Sequence, residues 1–447
     1  MLSAKIKKSR GAGEEEIILI KVIFACHSAV TDDSILNGHE MKLVRNILNP
    51  VLIVAGFISL VTSCKKEEGS QNKYLVSAEY IVSYKTAYID DLLDLAAQTY
   101  PELNDLKPLI SQDVDIYKVI YRTKIQDKEI NASGIVCVPS EAGEYPLLSF
   151  QNGTNTVNTY APSEYILNPA YQFVEVVASM GYVVVIPDYP GFGESASEPH
   201  PYLIKDPTVI SIVDMLYAVR EMDTEDLTEL IIKNELYIIG YSQGGWATLS
   251  LHKALEQDYS EEFNLKGSVC GAGPYDLSLL FDGMTSISSY PMPVYIGYII
   301  NAYSFYDQFT NPVSDILREP YATRLPGLYN GLMGFDEINS QLTTSIPDLF
   351  TAGFLSGFES EPKYSTVRTS LAVNSVTGWE TQIPLYLIHG GGDTSVNPLT
   401  TEYMYNAMIQ AGTSTQTCNK EIIPGLDHGE AVIPAMVKGL QFIIDLQ

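Results

Sequence analysis

The chain has 447 residues, a length that suits one large domain with insertions or two to three smaller units. Hydrophobic residues make up 46% of the sequence, so a sizeable core can be buried. The formal net charge is −27, which argues against a basic surface for phosphate groups, and we expect no nucleic-acid partner. The five cysteines form no CxxC or CxxxC pair, so neither a zinc ribbon nor a thioredoxin-type site is expected.

The segment that begins at Met41 has the three-part pattern of a secretory signal. Met41–Arg45 is short and positively charged, and Val51–Val61 is an uncharged apolar run that leads to Ser63-Cys64. This ending resembles the bacterial lipoprotein signal, in which a cysteine after small residues is lipidated and becomes the new N-terminus. We therefore expect residues 41–63 to be a signal peptide, Cys64 to be lipidated, and residues 1–40 to precede the true start. The alternative is an uncleaved anchor or a buried helix.

Residues 64–75 are predicted to form a charged, flexible tether. The lysine and acidic pairs of Lys65–Glu68 look like the surface-export signal of Bacteroidetes lipoproteins. We expect an outer-membrane lipoprotein of the bacterial cell envelope, exposed at the surface and attached to the membrane only through its lipid.

The rest of the sequence alternates short apolar runs with longer amphipathic ones, after a stretch at Tyr80–Ile110 that is predicted to be largely helical. The predicted strands are Val114–Arg122, Glu129–Pro139, Leu147–Phe150, Tyr182–Pro187, Leu236–Ile239, Gly267–Gly271, Leu385–Ile388 and Lys420–Ile423. The predicted helices are Tyr171–Met180, Thr208–Arg220, Gly244–Gln257, Leu399–Ala411 and Gly429–Leu446. Such alternation predicts an α/β fold with a mostly parallel sheet and helices on both faces.

The alternation stops between Leu277 and Trp379, where turns rich in Ser, Tyr, Pro and Gly separate short helical pieces. We interpret residues 277–379 as a cap or lid inserted into the fold. The core is then expected in two parts, residues 76–276 and 380–447.

A GxSxG motif lies where a predicted strand meets a predicted helix. The apolar run Leu236–Ile239 leads into Gly240-Tyr241-Ser242-Gln243-Gly244 and then into the helix. A nucleophilic serine needs this sharp turn, and the two glycines leave room for the backbone to pass close to itself. The positive end of the following helix favours a developing oxyanion. We predict that Ser242 is the nucleophile; the alternative is an ordinary glycine-rich turn.

The serine needs a histidine base later in the chain, after the acid. His252 is ten residues along the helix from Ser242, about 15 Å of rise away, which is too far. His428 lies in a loop between the last predicted strand and the last helix, and we predict that it is the base. His389 is expected to be structural.

Three aspartates are candidates for the acid that orients the base. Asp427 adjoins His428, and neighbours in an extended segment point to opposite sides. Asp393 lies on a glycine-rich loop after a predicted strand, and we predict that it is the acid. Asp276 is the second candidate; otherwise it caps the helix that enters the insertion.

The oxyanion hole is expected to have two backbone donors. The first is the N–H of Gln243, directly after the nucleophile. The second comes from the polar turn after the strand Leu147–Phe150, where either Gly153 or Thr154 supplies the N–H. Two alternatives are a side-chain donor at Gln151 and a turn with no catalytic role.

Residues Val114–Gln447 look like the α/β-hydrolases. Four segments together are similar to the secretory lipase family: Gly-Tyr-Ser-Gln-Gly-Gly at 240–245, Pro-Asp-Tyr-Pro-Gly-Phe-Gly at 187–193, His-Pro-Tyr-Leu at 200–203, and His389–Asp393. The resemblance implies the α/β-hydrolase fold, a helical cap after the sixth strand, acyl-ester hydrolysis and a triad of Ser242, Asp393 and His428. The oxyanion segment departs from the family, because Gln151-Asn152-Gly153 replaces the more usual His-Gly.

The leading hypothesis is a carboxylic-ester hydrolase that works through an acyl-enzyme, with no cofactor and no metal. Its substrate would be a small-molecule ester, or an ester of a lipid or polysaccharide. One alternative is a serine peptidase of the prolyl-oligopeptidase type, although the chain before Val114 is too short for a propeller. Another is a surface-anchored binding protein with an inactive hydrolase fold, against which the intact Ser–Asp–His order argues.

Overall fold

A computed structural model describes residues 72–222 and 230–447 of the chain. The upstream stretch 1–40, the predicted signal peptide 41–63, Cys64 and most of the tether lie outside the described residues. None of the helices within the described ranges has the length and apolar character needed to cross a bilayer.

A nine-stranded sheet runs through the centre of the described fold, in the order β1-β2-β3-β5-β4-β6-β7-β8-β9. The β1–β2, β2–β3 and β3–β5 pairs are antiparallel and the remaining pairs are parallel. The strands are β1 Leu75–Tyr84, β2 Val114–Ile125, β3 Lys128–Pro139, β4 Gly143–Gln151, β5 Val183–Pro187, β6 Leu230–Tyr241, β7 Asn264–Gly271, β8 Leu385–Gly390 and β9 Cys418–Ile423.

Helices cover both faces of this sheet, as the alternating pattern predicts. The five residues of β5 are all buried, which is typical of a parallel strand packed on two sides. The helices outside the insertion are α1 Thr86–Ala96, α2 Pro169–Glu175, α3 Lys205–Arg220, α4 Gln243–Gln257, α13 Leu399–Gln410 and α14 Val432–Ile444. The predicted α/β class with a mostly parallel sheet is confirmed.

The predicted helix at Tyr80–Ile110 is wrong at its start. Leu75–Tyr84 is strand β1, and the helix is confined to Thr86–Ala96. The β-branched and aromatic residues of β1 suit a strand, and β2, some 40 residues later in the chain, supplies the hydrogen-bonding partner. Where β1 begins, the N–H groups of residues 73–75 donate to the carboxylate of Glu221 at 2.7–3.1 Å. The last residues of the predicted tether therefore contact the folded core.

The segment between β7 and β8 is fully described and contains helices without a strand. These helices are α5 Leu277–Thr285, α6 Pro293–Phe305, α7 Val313–Ile316, α8 Tyr321–Leu328, α9 Phe335–Gln341, α10 Ile346–Leu349, α11 Ala352–Gly357 and α12 Ser365–Asn374. Two tyrosines connect this segment to loops of the core: the Tyr290 hydroxyl donates to the Ser395 carbonyl at 2.8 Å, and the Tyr298 hydroxyl to the Asn155 carbonyl at 3.2 Å. The helices therefore lie against loops at the carboxyl ends of β4 and β8.

Candidate active site

The sequence-predicted site residues lie at one edge of the sheet. Ser242 follows β6, Asp393 follows β8 and His428 follows β9, while Gly153 follows β4. These four strands are parallel to one another, so their carboxyl ends meet at the same edge. Residues that are far apart in the chain are thereby brought together.

Ser242 occupies a strained turn between β6 and α4. Its backbone has φ 60° and ψ −122°, a conformation that non-glycine residues adopt at a cost of about 1–3 kcal/mol. Its N–H donates to the Gly271 carbonyl at 2.8 Å on the neighbouring strand. A Cβ on Gly244 would overlap the backbone oxygen of Gln151, so only glycine lets the helix approach β4 this closely. The turn predicted from GxSxG is therefore present.

His428 is within hydrogen-bonding distance of both other predicted triad residues. Ser242 Oγ is 2.9 Å from His428 Nε2, and His428 Nδ1 is 2.5 Å from Asp393 Oδ2. A carboxylate only accepts, so Nδ1 carries the proton and Nε2 is the acceptor for the serine hydroxyl. Tyr241 holds the loop that carries His428, because its hydroxyl donates to the His428 carbonyl at 2.8 Å.

Asp393 is held in its ionised form. Burial by itself would raise the pKa of this carboxyl, but hydrogen bonds from His389 and His428, the electrostatic attraction to His428 and the Val396 N–H keep it well below its ordinary value. Oδ1 accepts from the N–H groups of Ser395 and Val396, both at 2.8 Å. The carboxylate is thus ionised and fixed in orientation, as an acid that orients an imidazole must be.

The other candidate acids have different partners. Asp276 caps α5, where Oδ1 accepts from the Leu279 N–H at 3.0 Å, so it takes the helix-cap role named as its alternative. Asp427 Oδ1 accepts from the N–H groups of Gly429 and Glu430 at 2.9 and 2.8 Å. Neither carboxylate hydrogen-bonds to His428.

The two remaining histidines after Ser242 are buried at other places. His252 packs against Trp379 in the middle of α4, and burial lowers its pKa to about 3. His389 contacts Asp393: its Nε2 is 3.0 Å from Oδ2 of Asp393, and its Nδ1 is 2.8 Å from Oγ1 of Thr401. The sequence predicts a structural role for His389, but no motif indicates its contact with Asp393.

The residues expected to supply the oxyanion donors lie close to Ser242 in the structure. Gln243 is the first residue of α4, and the N–H groups in the first turn of a helix lack intrahelical partners. Gly153 lies beside the nucleophile, since a Cβ built on it would be 3.8 Å from Ser242 Cβ. Thr154 is next to it, with its hydroxyl 2.9 Å from the Tyr202 hydroxyl.

The Gln151 side chain is directed into the protein interior. Its amide nitrogen donates to Ser149 Oγ at 2.7 Å, and its oxygen accepts from Thr248 Oγ1 at 2.9 Å. The side chain is completely buried, because Gln151 is the last residue of β4 and α4 packs over it. The alternative of a side-chain oxyanion donor at Gln151 is therefore wrong.

A narrow cavity of about 20 Å³ lies above Ser242. A water molecule needs about 10–15 Å³ of such space, so this cavity has room for about one water. The apolar and aromatic residues that line it come from the helical insertion and from three core loops: Tyr202, Leu203, Pro274, Leu280, Met284, Tyr290, Tyr295, Ile299 and Val396. The residues from α5 and α6 could not be predicted from the sequence, because the insertion carries no motif that marks them. Within residues 72–222 and 230–447, no group of three or more His, Cys, Asp or Glu side chains is placed to hold a metal ion.

Known proteins share this architecture. Residues 161–435 match the model of the alpha/beta hydrolase family. A structure from Legionella pneumophila that is classed as a hydrolase is 25% identical, with a TM-score of 0.73 over 84% of this chain and 98% of that one. The rice cell wall degrading esterase LipA from Xanthomonas oryzae, in a ligand-bound form, is 23% identical, with a TM-score of 0.72 over 84% and 98%.

Candida antarctica lipase A in its closed state is more distant, at 15% identity and a TM-score of 0.59 over 84% of this chain and 82% of that one. These low identities support the fold alone. No curated protein is significantly similar in sequence. The family model covers more than half of the chain and the sheet has the matching architecture, so the chain belongs to the α/β-hydrolase family.

Proposed function

We propose that this α/β-hydrolase is a serine hydrolase that cleaves carboxylic esters through an acyl-enzyme. The proposal rests on the chain of hydrogen bonds from Ser242 through His428 to Asp393. The Ser242–His428 distance is 2.9 Å and the His428–Asp393 distance is 2.5 Å. This chain of hydrogen bonds begins at a serine on the strained turn between a strand and a helix, where the hydroxyl is lifted clear of the sheet.

In the proposed reaction, His428 Nε2 takes the hydroxyl proton of Ser242 as Oγ attacks the ester carbonyl. The oxyanion is stabilised by the N–H of Gln243 and by that of Gly153 or Thr154. His428 then gives the proton to the departing alcohol, which leaves an acyl group on Ser242. Water, deprotonated by the same histidine, attacks this acyl-enzyme and releases the acid.

Two observations favour an esterase over the alternatives. Ahead of β2, the described residues form only one strand, one α-helix and two short 3-10 helices, which is too little for the propeller of a prolyl-oligopeptidase. The small, mainly apolar cavity above Ser242 suits an acyl group better than a peptide chain. The joined triad argues against an inactive binding protein. We propose a small-molecule, lipid or polysaccharide ester as the substrate.

Hydrolysis of p-nitrophenyl acetate and longer esters tests the proposal, with a peptide substrate measured alongside. Ser242→Ala is expected to lower kcat by roughly 10⁴–10⁶-fold, as removal of a serine nucleophile does. Ser260→Ala, at an exposed serine after α4, is the matched control and should retain full activity. Unchanged turnover in Ser242→Ala would overturn the nucleophile, peptide cleavage without ester cleavage would favour the peptidase, and neither activity would favour the binding protein.

We also propose that the protein is exported and anchored in the bacterial envelope through lipid on Cys64. The signal-like pattern from Met41 to Cys64 supports this proposal. Intact-mass measurement of the native protein, with Cys64→Ser as the comparison, tests it. A mature chain that begins at acylated Cys64 is expected, and a species that begins before Met41 would contradict it.

A further inference from the structure

One short segment contacts both loops that are proposed to supply the oxyanion donors. The His200–Tyr202 segment precedes α3 and is buried, with His200 5% and Tyr202 4% exposed. His200 Nε2 is 2.8 Å from the side-chain nitrogen of Gln243, and the Tyr202 hydroxyl is 2.9 Å from Thr154 Oγ1. The first contact reaches the turn after β6, and the second reaches the turn after β4.

The hydrogen bonds of His200 define its protonation state. Nδ1 is 2.7 Å from the Pro190 carbonyl, which only accepts, so Nδ1 carries the proton. Nε2 must then accept from the Gln243 amide nitrogen. The amide oxygen of Gln243 is buried without a hydrogen-bond partner among the described residues. Burial lowers the pKa of His200 to about 4, so the ring is neutral at neutral pH.

Aromatic rings surround His200 and fix its position. The ring centroids of Tyr189, Phe192, Tyr202 and Tyr298 lie 5.0–6.0 Å from that of the imidazole. Gly191 has φ 97°, and a Cβ on it would collide with the backbone of His200, so the loop packs directly against this residue. The imidazole is a rigid acceptor because ring rotation would displace several packed side chains.

We propose that the His200–Tyr202 segment positions the oxyanion site, with His200 holding Gln243 and Tyr202 holding the Gly153–Thr154 turn. This inference rests on the proposed function, because it needs an oxyanion to be stabilised. His200 acts through Gln243 and is a positioning residue. An oxyanion forms only in the tetrahedral states, so loosening the donors lowers kcat more than it changes KM.

The activity arm of the test compares His200→Leu, His200→Gln, Gln243→Leu and the double variant His200→Leu/Gln243→Leu. Removal of a donor costs about 10²–10³-fold in kcat, so loss of its support in His200→Leu is expected to cost about 10–100-fold. Affinity for a trifluoromethyl ketone, which forms a tetrahedral adduct with serine, should fall in parallel while KM stays within about threefold. His200→Gln keeps an acceptor and should recover most of the loss.

The energetic coupling between His200 and Gln243, together with the Tm of the variants, distinguishes a positioning role of His200 from a merely structural one. The double variant should be no slower than Gln243→Leu, because both changes break the same hydrogen bond. Tyr303→Phe is the matched control: it removes a buried bond to the Leu203 carbonyl, next to the segment, and should leave kcat and ketone affinity unchanged. Additive losses, or a lower Tm of His200→Leu with unchanged kcat and ketone affinity, would overturn the proposal.

A spectroscopic arm remains decisive if the protein proves not to be an esterase. With ¹⁵N-labelled histidine, His200 is expected to show the Nδ1–H tautomer and to stay neutral down to about pH 5, and its Nε2 shift should change in Gln243→Leu. Titration of His200 near pH 6.5, or an Nε2–H tautomer, would overturn the hydrogen bond itself. Failure of Ser242→Ala to abolish turnover would instead overturn the proposed function while leaving this bond in place.

Discussion

The Nε2 atom of His389 lies 3.0 Å from Oδ2 of Asp393, the same oxygen that faces His428. His389 is completely buried, and its other ring nitrogen contacts the Thr401 hydroxyl at 2.8 Å. The Asp393 carboxylate is therefore oriented by His389, and it in turn orients His428. Because an imidazole N–H donates to this carboxylate on each side, the shared oxygen cannot turn away from His428 without losing a buried hydrogen bond.

Replacing His389 tests this support. His389→Leu removes one hydrogen bond to a buried charge, worth about 1.5–3 kcal/mol, so we expect kcat to fall by about tenfold or more, together with Tm. Thr401→Val removes only the contact on the far side of the ring and should change kcat much less. Steady-state ester hydrolysis and thermal unfolding measure both variants, and a drop in Tm with unchanged kcat would show that His389 serves stability alone.

The assignment of the acid is tested by two aspartates. Asp393→Asn should reduce kcat by about 10⁴-fold, because an amide stabilises the wrong tautomer of His428. Asp276→Asn should leave kcat unchanged, since Asp276 caps α5 and asparagine is also a good cap. If ester hydrolysis instead depends on Asp276, the triad drawn here is incorrect.

Gly244 and Gly283 form a matched pair of helical glycines. A Cβ on Gly244 would overlap the Gln151 backbone, so Gly244→Ala should displace α4, with loss of activity and a lower Tm. No atom lies within 4 Å of a Cβ on Gly283 in α5, and Gly283→Ala should stabilise the protein by about 0.5–1 kcal/mol. Thermal unfolding together with ester hydrolysis measures the contrast, and equal effects at the two sites would contradict it.

Glu175, at the end of α2, gives the stability a specific pH dependence. It is fully buried, and neither carboxyl oxygen has a well-formed hydrogen bond within the described residues. Burial raises its pKa from 4.5 to about 8. Between these values the unfolded chain has lost the proton that the folded chain keeps. The free energy of unfolding therefore decreases as the pH rises from about 4.5 to 8, by up to about 1.4 kcal/mol per pH unit from this group, and levels off above pH 8.

Glu175→Gln should remove this slope and make the variant more stable than the wild type at pH 9, with little difference at pH 5. Denaturant unfolding from pH 5 to pH 9 measures the effect. Glu79→Gln changes an exposed glutamate on β1 and serves as the control. A wild-type stability that is independent of pH over this range, or that rises with pH in a Glu175-dependent way, would contradict the prediction.

The cavity above Ser242 predicts a preference for short acyl groups. Large apolar and aromatic side chains line this narrow cavity and leave little room for a long acyl chain beside the nucleophile. We expect kcat/KM to fall from acetyl to hexanoyl p-nitrophenyl esters. Met284→Ala should widen the cavity and shift the optimum towards longer chains. Met180→Ala, in the 3-10 helix Val176–Met180 that does not line the cavity, should leave the profile unchanged. A wild-type optimum at long chains would contradict this prediction.

Local patterns were enough to predict the elements that build the site. An apolar run followed by glycines indicates a strand that ends in a tight turn. The turn at Ser242 and the loop that carries Asp393 could therefore be predicted without knowing the partners of either residue. The chain order of serine, acid and histidine then selected His428. The helix predicted from Tyr80 failed because β1 is decided by pairing with β2, a long-range contact that the local sequence does not contain.

The sequence by itself determined the α/β class, the nucleophile turn and the candidate triad, because strand and helix periodicity and glycine requirements act over a few residues. Only the tertiary structure decided that Asp276 caps a helix, that His389 lies under Asp393, that His200 holds Gln243, and that α5 and α6 narrow the cavity. These are contacts between residues far apart in the chain, such as Ser242 and His428, which are 186 positions apart. They exist only because parallel strands place their carboxyl ends at a common edge.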